Sequence, residues 1–253
     1  MSSIRTTASI TSPSRRVAIV GGGRLGSALA AALTTARVEV VGPLGRKDDL
    51  RFDRADVVLL TVPDAAIAAV AASIAAGPTV GHCSGALPLE VLGSHEGFSM
   101  HPLLSVTTRG ARFEGAAAAI AGRTSDALDT ARWLAESLRM EPVVIDDAVR
   151  PLYHAAASMA ANYLVTLEDA AEQLAAPTGI QRRHLARLAE SALENWSELG
   201  GRAALTGPIV RGDESTVERQ RAAVARVASP LLPLWDSLAD ATRELARQPL
   251  GGA

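Results

Sequence analysis

Between Arg16 and about Asp147, short apolar runs alternate with stretches of helical period. Val17–Val20, Val38–Val41, Asp56–Val62, Thr79–Cys83, Phe98–His101, Ala116–Ala121 and Pro142–Ile145 are predicted as strands. Leu25–Thr35, Asp64–Ala75 and Ser125–Leu138 are predicted as helices, with Asp64 placed after Pro63 to cap the second. The run Asp56–Val62 is apolar on both faces and so belongs at the centre of a parallel sheet. Strand and helix in alternation predict an α/β fold, a Rossmann-type doubly wound sheet.

After Asp147 the period-two signal stops. Val149–Ala175, Gln181–Leu199, Ser215–Val227 and Leu231–Arg247 all read as helices, and Ser215-Thr-Val-Glu218 fits a capping box. Gly200-Gly201 and Thr206-Gly-Pro208 punctuate the connections. The expected organisation is a disordered leader over 1–14, a dinucleotide-binding domain over 15–147 and an all-α domain over 148–250. The many Ala-rich helices exceed what one small sheet face can cover, which leads to the expectation of a homodimer.

Composition narrows the classes. Apolar residues make up 48% and charged residues 21% of the 253, with a net charge of -2, so nothing points to nucleic acid. No apolar run approaches the ~18 residues of a membrane span, and Met1–Pro13 lacks the apolar core of a secretory signal. Aromatics are only 3%, so the core must be largely Ala, Val and Leu. The single cysteine, Cys83, excludes an internal disulfide, reads as a small buried apolar residue, and fits a reducing cytoplasm. The five histidines have no metal-ligand spacing, and no metal site is expected.

The sharpest motif is Gly21-Gly22-Gly23-Arg24-Leu25-Gly26, a G-x-G-x-x-G that follows a strand and opens a helix. Gly21 suits the tight turn, Gly23 the approach of a pyrophosphate, and Gly26 close packing of helix on strand, with Arg24 and Leu25 supplying helix N-terminal N–H groups. An NAD site usually places Asp or Glu at the end of the second strand. Here Arg46 and Lys47 follow instead, suited either to the 2′-phosphate of NADP(H) or to a solvated basic loop, and NADP(H) is the expected cofactor. Val62 and Pro63 lie where the nicotinamide ribose would pack, though a plain strand-to-helix turn explains the Thr61–Asp64 segment equally well.

Taken in order, the glycine loop, Val62-Pro63-Asp64, His82-Cys-Ser-Gly85, Met100-His-Pro102, Tyr153-His-Ala-Ala-Ala157, Asn162-Tyr163 and Thr206-Gly-Pro-Ile-Val-Arg-Gly-Asp213 carry a resemblance. Together they resemble Rossmann-like proteins with the C-terminal domain of unknown function 2520. That family falls within the 6-phosphogluconate dehydrogenase C-terminal-like superfamily. The resemblance implies kinship with pyrroline-5-carboxylate, β-hydroxyacid and ketopantoate enzymes, and so a reductase of a small acid's C=O or C=N. It also implies a catalytic Lys followed four residues later by Asn on the first long helix of the second domain. Asn162 matches that Asn, but Ser158 stands where the Lys is expected.

Positions 154, 158 and 162 are spaced by four, so His154, Ser158 and Asn162 would form a polar stripe in an Ala-rich helix. Buried polar groups need partners. A substrate and cofactor would provide them, with His154 as proton donor, directly or through Ser158, and Asn162 holding the substrate oxygen. The alternative is an interdomain hydrogen-bond cluster with no chemistry. Ser84 and His101, at strand ends, are candidates for substrate contact, or for satisfied turn residues. Arg211 suits a substrate carboxylate or an ion pair with Asp213. The alternative to an enzyme is a non-catalytic NADP-binding sensor or scaffold; a deazaflavin-linked reductase has no separate signature here.

Overall fold

The structure, a computed structural model, describes residues 15–45, 48, 52 and 55–249. The expected leader and the basic pair Arg46 and Lys47 lie outside the described residues. Contacts divide the chain after Ser158 into two compact units.

In the first unit, β1 (Arg16–Val20), β2 (Glu39–Leu44), β3 (Val57–Leu60), β4 (Thr79–His82), β5 (Gly97–Pro102), β6 (Ala117–Gly122) and β7 (Glu141–Val144) form one sheet. Their order is β2-β1-β3-β4-β5-β6-β7. Every pairing is parallel except β5 with β6. The helices are α1 (Arg24–Thr35), α2 (Asp64–Ser73), α3 (Ser125–Ser137) and α4 (Arg150–Ser158). All four residues of β3 are buried, as a central parallel strand requires.

Strand alternation sorts the core into two layers. Val17, Ile19, Val57, Leu59, Phe98 and Ile120 pack with Leu29 and Leu33 of α1 and Ala131 and Leu134 of α3. Ala18, Val20, Val58, Leu60 and Val80 pack with Ile67 and Ala71 of α2 and with Leu89 and Leu92 of a short 3₁₀ turn. Fully burying a side chain of this size stabilises by about 1.5–3 kcal/mol, so these layers carry the sheet. The scarcity of aromatics is offset by close approach: a Cβ on Gly81 would lie 2.2 Å from the Phe98 ring.

The second unit holds a π-helical turn (Met159–Tyr163), α5 (Leu164–Ala175), α6 (Arg182–Leu199), a short α7 (Gly201–Ala204), α8 (Glu214–Val227) and α9 (Leu232–Arg247). No strand occurs in it among the described residues.

Four expectations need correction. The segment 149–175 is not one helix: the π turn separates α4 from α5. The boundary between the compact units falls after Ser158, one helix later than the expected 147/148, and Arg150, 1% exposed, ties α4 to Ser99 of β5 in the first unit. Asp64 does not cap α2: Pro63 is the N-cap residue, and the Asp64 carboxylate accepts a hydrogen bond from Ser84 Oγ at 2.8 Å. The start of α8 is capped by Asp213, whose carboxylate accepts from Thr216 N at 3.1 Å and from Ser215 Oγ at 2.9 Å. A carboxylate is the stronger acceptor, and these bonds hold Asp213 below its ordinary pKa.

Candidate cofactor and substrate site

The glycine loop closes over the end of β3. Gly21 has φ +121°, and a Cβ there would sit 2.7 Å from the Thr61 backbone. A Cβ on Gly26 would lie 1.9 Å from Gly21 O, so helix and loop touch directly. Thr61 Oγ1 donates to Gly21 O at 2.9 Å, and Gly21 N donates to Leu44 O at 2.8 Å, which fixes the turn. Gly22 and Gly23 differ: nothing lies within 4 Å of a Cβ on either. Gly21 and Gly26 are packed, whereas Gly22 and Gly23 look into open space.

Beside them lies a cleft of about 480 Å³, lined by Gly21, Gly22, Gly23, Arg24, Leu25, Leu44, Thr61, Val62 and Pro63. Of the described cofactor-binding candidates, Gly21, Gly23, Arg24, Leu25, Val62 and Pro63 line it, and Gly26 does not. Gly23 is the N-cap of α1 and offers no side-chain cap, so first-turn N–H groups are left for an anion. The cleft and its open glycines fit the pyrophosphate of a dinucleotide.

The same sheet edge continues across β4 and β5. Val20 pairs in register with Leu60, Leu60 with His82, and His82 with Ser99. The residues just beyond, Gly21, Thr61, Cys83–Gly85 and His101, thus follow one line along the C-terminal edge, where ligands bind in open α/β sheets.

At the β4 end, Ser84 is buried and committed to its turn: beyond its bond to Asp64, Oγ accepts from Ala86 N at 3.2 Å and Leu87 N at 3.1 Å. These bonds fit the satisfied-turn alternative. Cys83 is buried and free, and burial raises its thiol pKa, which keeps it protonated.

Over Gly85 two imidazoles converge. A Cβ at 85 would lie 2.8 Å from His154 Cδ2 and 2.9 Å from His101 Cε1 and Nε2. The ring centroids of His101 and His154 are 6.2 Å apart, edge to face. His101 Nδ1 is 2.7 Å from the hydroxyl of Tyr153. Burial, then the neighbouring His154 and Arg150, push His101 down to about 4, so its ring is neutral at physiological pH. Burial also raises the Tyr153 phenol, opposed by Arg150.

Beneath this cluster Arg150 anchors α4. Its Nε donates to Asp147 Oδ1 at 2.8 Å and its Nη2 to Ser99 Oγ at 2.8 Å. Asp147 Oδ2 accepts from Leu89 N at 2.8 Å. Three and four residues on from Arg150, Tyr153 and His154 share its helix face. His82 is fully buried, accepts from Ser84 N at 3.2 Å, and is pushed down to about 4 by burial and then by Arg150.

The structure brings His101 and His154 together with Tyr153, which stands in a sequence motif that gives it no role, and with Arg150, which sequence reasoning does not name. Ser158 is half-buried at the end of α4. Asn162 is exposed on the π turn, where four-residue α spacing does not hold, so the expected stripe is not continued through it. Arg211 is an exposed loop residue of the second unit, and its proposed ion-pair partner Asp213 serves as the α8 cap. Among the described residues no three His, Cys, Asp or Glu are grouped to hold a metal ion, and no helix is long and apolar enough to cross a membrane.

Sheet order, glycine loop and edge cleft define a Rossmann-type protein with a helical second unit. The chain belongs to the family described as a domain of unknown function, DUF2520, whose profile matches residues 116–242, half of its length. No sequence match to a curated protein was found. Among solved structures, a protein provisionally described as an NADP oxidoreductase from Bacteroides fragilis superposes with TM-score 0.79 at 18% identity, over 91% of this chain and 98% of that one. A protein from Thermotoga maritima gives 0.77 at 23%, over 92% and 100%. A reductive aminase from Aspergillus terreus, in complex with NADPH and ethyl-5-oxohexanoate, gives 0.67 at 17%, over 92% and 95%. At these identities the likeness speaks for the fold.

Proposed function

We propose that the protein is an NADP(H)-dependent reductase of the C=O or C=N of a small acid. The observation that carries the reading is the alignment along one sheet edge of an open glycine cleft and a cluster of proton-bearing rings. In this reading the α1 N-terminus holds the pyrophosphate, Arg46 and Lys47 take the 2′-phosphate, and Val62 and Pro63 pack on the nicotinamide ribose. When bound, the cofactor supplies hydride; the protein supplies orientation and a proton. The proton comes from the cluster over Gly85, with His154 and Ser158 of α4 as further substrate contacts; Asn162 and Arg211 belong to the second unit. The resemblance to the 6-phosphogluconate dehydrogenase C-terminal-like enzymes and the structural likeness to the reductive aminase both favour this chemistry, and ketopantoate is a specific substrate to try.

NADPH is expected to raise the melting temperature more than NADH, because stabilisation follows affinity and only NADPH engages Arg46 and Lys47. Equal shifts would refute the cofactor choice. A second reading, a non-catalytic NADP-binding sensor or scaffold, is favoured by Ser158 at the position where a Lys is expected. Binding of NADPH without turnover of any 2-keto acid or cyclic imine would select it.

A homodimer belongs to the same proposal. Helix α6 has no buried residue, yet Leu185, Leu188, Ala192, Trp196 and Leu199 recur at helical spacing along it. Leu188 is 69% and Trp196 60% exposed, an apolar stripe that a second copy would cover. Light scattering at micromolar concentration should give twice the chain mass; a monomer counts against the assignment.

A further inference from the structure

We propose that Tyr153 is the catalytic residue that hands the proton to the substrate heteroatom, with His101 as the residue that orients and re-protonates it. This rests on the reductase reading and names the donor within it. Three observations on α4 and β5 support it. The Tyr153 hydroxyl lies 2.7 Å from His101 Nδ1, whereas no hydrogen bond ties His101 to His154. The opposite edge of the His101 ring is turned toward Gly85, where Cε1 and Nε2 would meet a Cβ at 2.9 Å. Tyr153 itself is half-buried, held on the helix face that Arg150 locks against Ser99.

The direction of the bond decides the chemistry. With the proton on Nδ1, His101 donates to the phenol oxygen and leaves the phenol O–H free to point outward. As the substrate carbon receives the electron pair as hydride from a reduced nicotinamide, the phenol O–H bond breaks and an H–O or H–N bond forms on the substrate. The phenolate oxygen then takes the proton of Nδ1 while Nε2 takes one from solvent. The imidazole ends neutral in its other tautomer, and later exchange with solvent restores it. No net charge is left behind.

Burial supports the assignment. The groups facing the pair are Arg150 and His154 on α4 and Asp64 on α2. Burial first, and these charges after it, leave the His101 ring neutral and the phenol protonated through the neutral range. A neutral donor that keeps its proton gives a rate that is flat near pH 7 and falls on the alkaline side.

Two measurements test this. Nitrogen-15 NMR of the whole protein should show His101 as the Nδ1–H tautomer; the Nε2–H tautomer would mean that Tyr153 spends its proton on His101, and would overturn the proposal without any activity being measured. Tyr153→Phe should then lower kcat ~10²-fold or more and remove the alkaline limb, with NADPH affinity unchanged. His101→Asn, whose amide can still donate to the phenol, should retain more turnover than His101→Ala. Wild-type kcat and an unchanged alkaline limb in Tyr153→Phe would sink the donor assignment alone. Absence of hydride transfer in the wild type would sink the reductase reading instead, whichever tautomer is found.

Discussion

Gly23→Ala is expected to leave the free protein as stable as before and to weaken NADPH binding on the order of 100-fold, about 2.8 kcal/mol. The two effects have separate causes. Gly23 has φ -74°, which any residue adopts, and nothing lies within 4 Å of the added methyl, so the fold has no reason to object. The methyl would stand in the space where a pyrophosphate must approach the α1 N–H groups. Gly26→Ala should behave differently. Its methyl would lie 1.9 Å from Gly21 O, which forces loop and helix apart and lowers the melting temperature before any ligand is added. Isothermal titration and thermal melts of the two variants separate the ligand-facing glycine from the packing one. Wild-type affinity in Gly23→Ala would mean that the cleft does not hold a dinucleotide in the way described.

Arg150→Met is expected to lower unfolding free energy by about 3 kcal/mol, the lower end of the range for removing one partner of a buried pair. Arg150 is 1% exposed, and its removal takes away the bonds to Asp147 and Ser99 together. Asp147 keeps the Leu89 N–H and is 30% exposed, which is why the upper end is not reached. The same change should loosen the face that carries Tyr153 and His154, so turnover should fall beyond what stability alone dictates. Urea unfolding measures the stability loss. A loss under 1 kcal/mol would show that α4 is held by its apolar contacts rather than by this anchor.

Much of the architecture was legible because the hydrophobic period is a direct record of burial. Val57–Leu60 could hardly be anything but a central strand, and Gly21–Gly26 announced both the turn and the helix that follows. The discrepancies have separate causes. Asp64 and Ser215 each have a local capping option visible in sequence that the structure does not use: Asp213, two residues earlier, caps α8 and accepts from Ser215 Oγ. Asp64 serves Ser84 across 20 residues. The π turn at Met159–Tyr163 leaves no pattern in an Ala-rich stretch, so the stripe through Asn162 looked continuous. The pairing of Tyr153 with His101 spans 52 residues and depends on β5 lying next to β4 in the sheet, an order that periodicity alone does not encode. Arg150 could have been noticed as a lone charge three residues before Tyr153 on a helix of low charge, but its burial could not.

The central claim, that a nicotinamide and a carbonyl or imine meet along this sheet edge, is tested most directly by isotope transfer. The wild-type protein would be incubated with NADPH deuterated at nicotinamide C4 and a panel of 2-keto acids and cyclic imines, ketopantoate included. Mass spectrometry should find deuterium bound to the former carbonyl or imine carbon of at least one product, formed over many turnovers. Tight NADPH binding with no deuterium transferred to any member of the panel would contradict the account and leave a cofactor-binding protein without this chemistry.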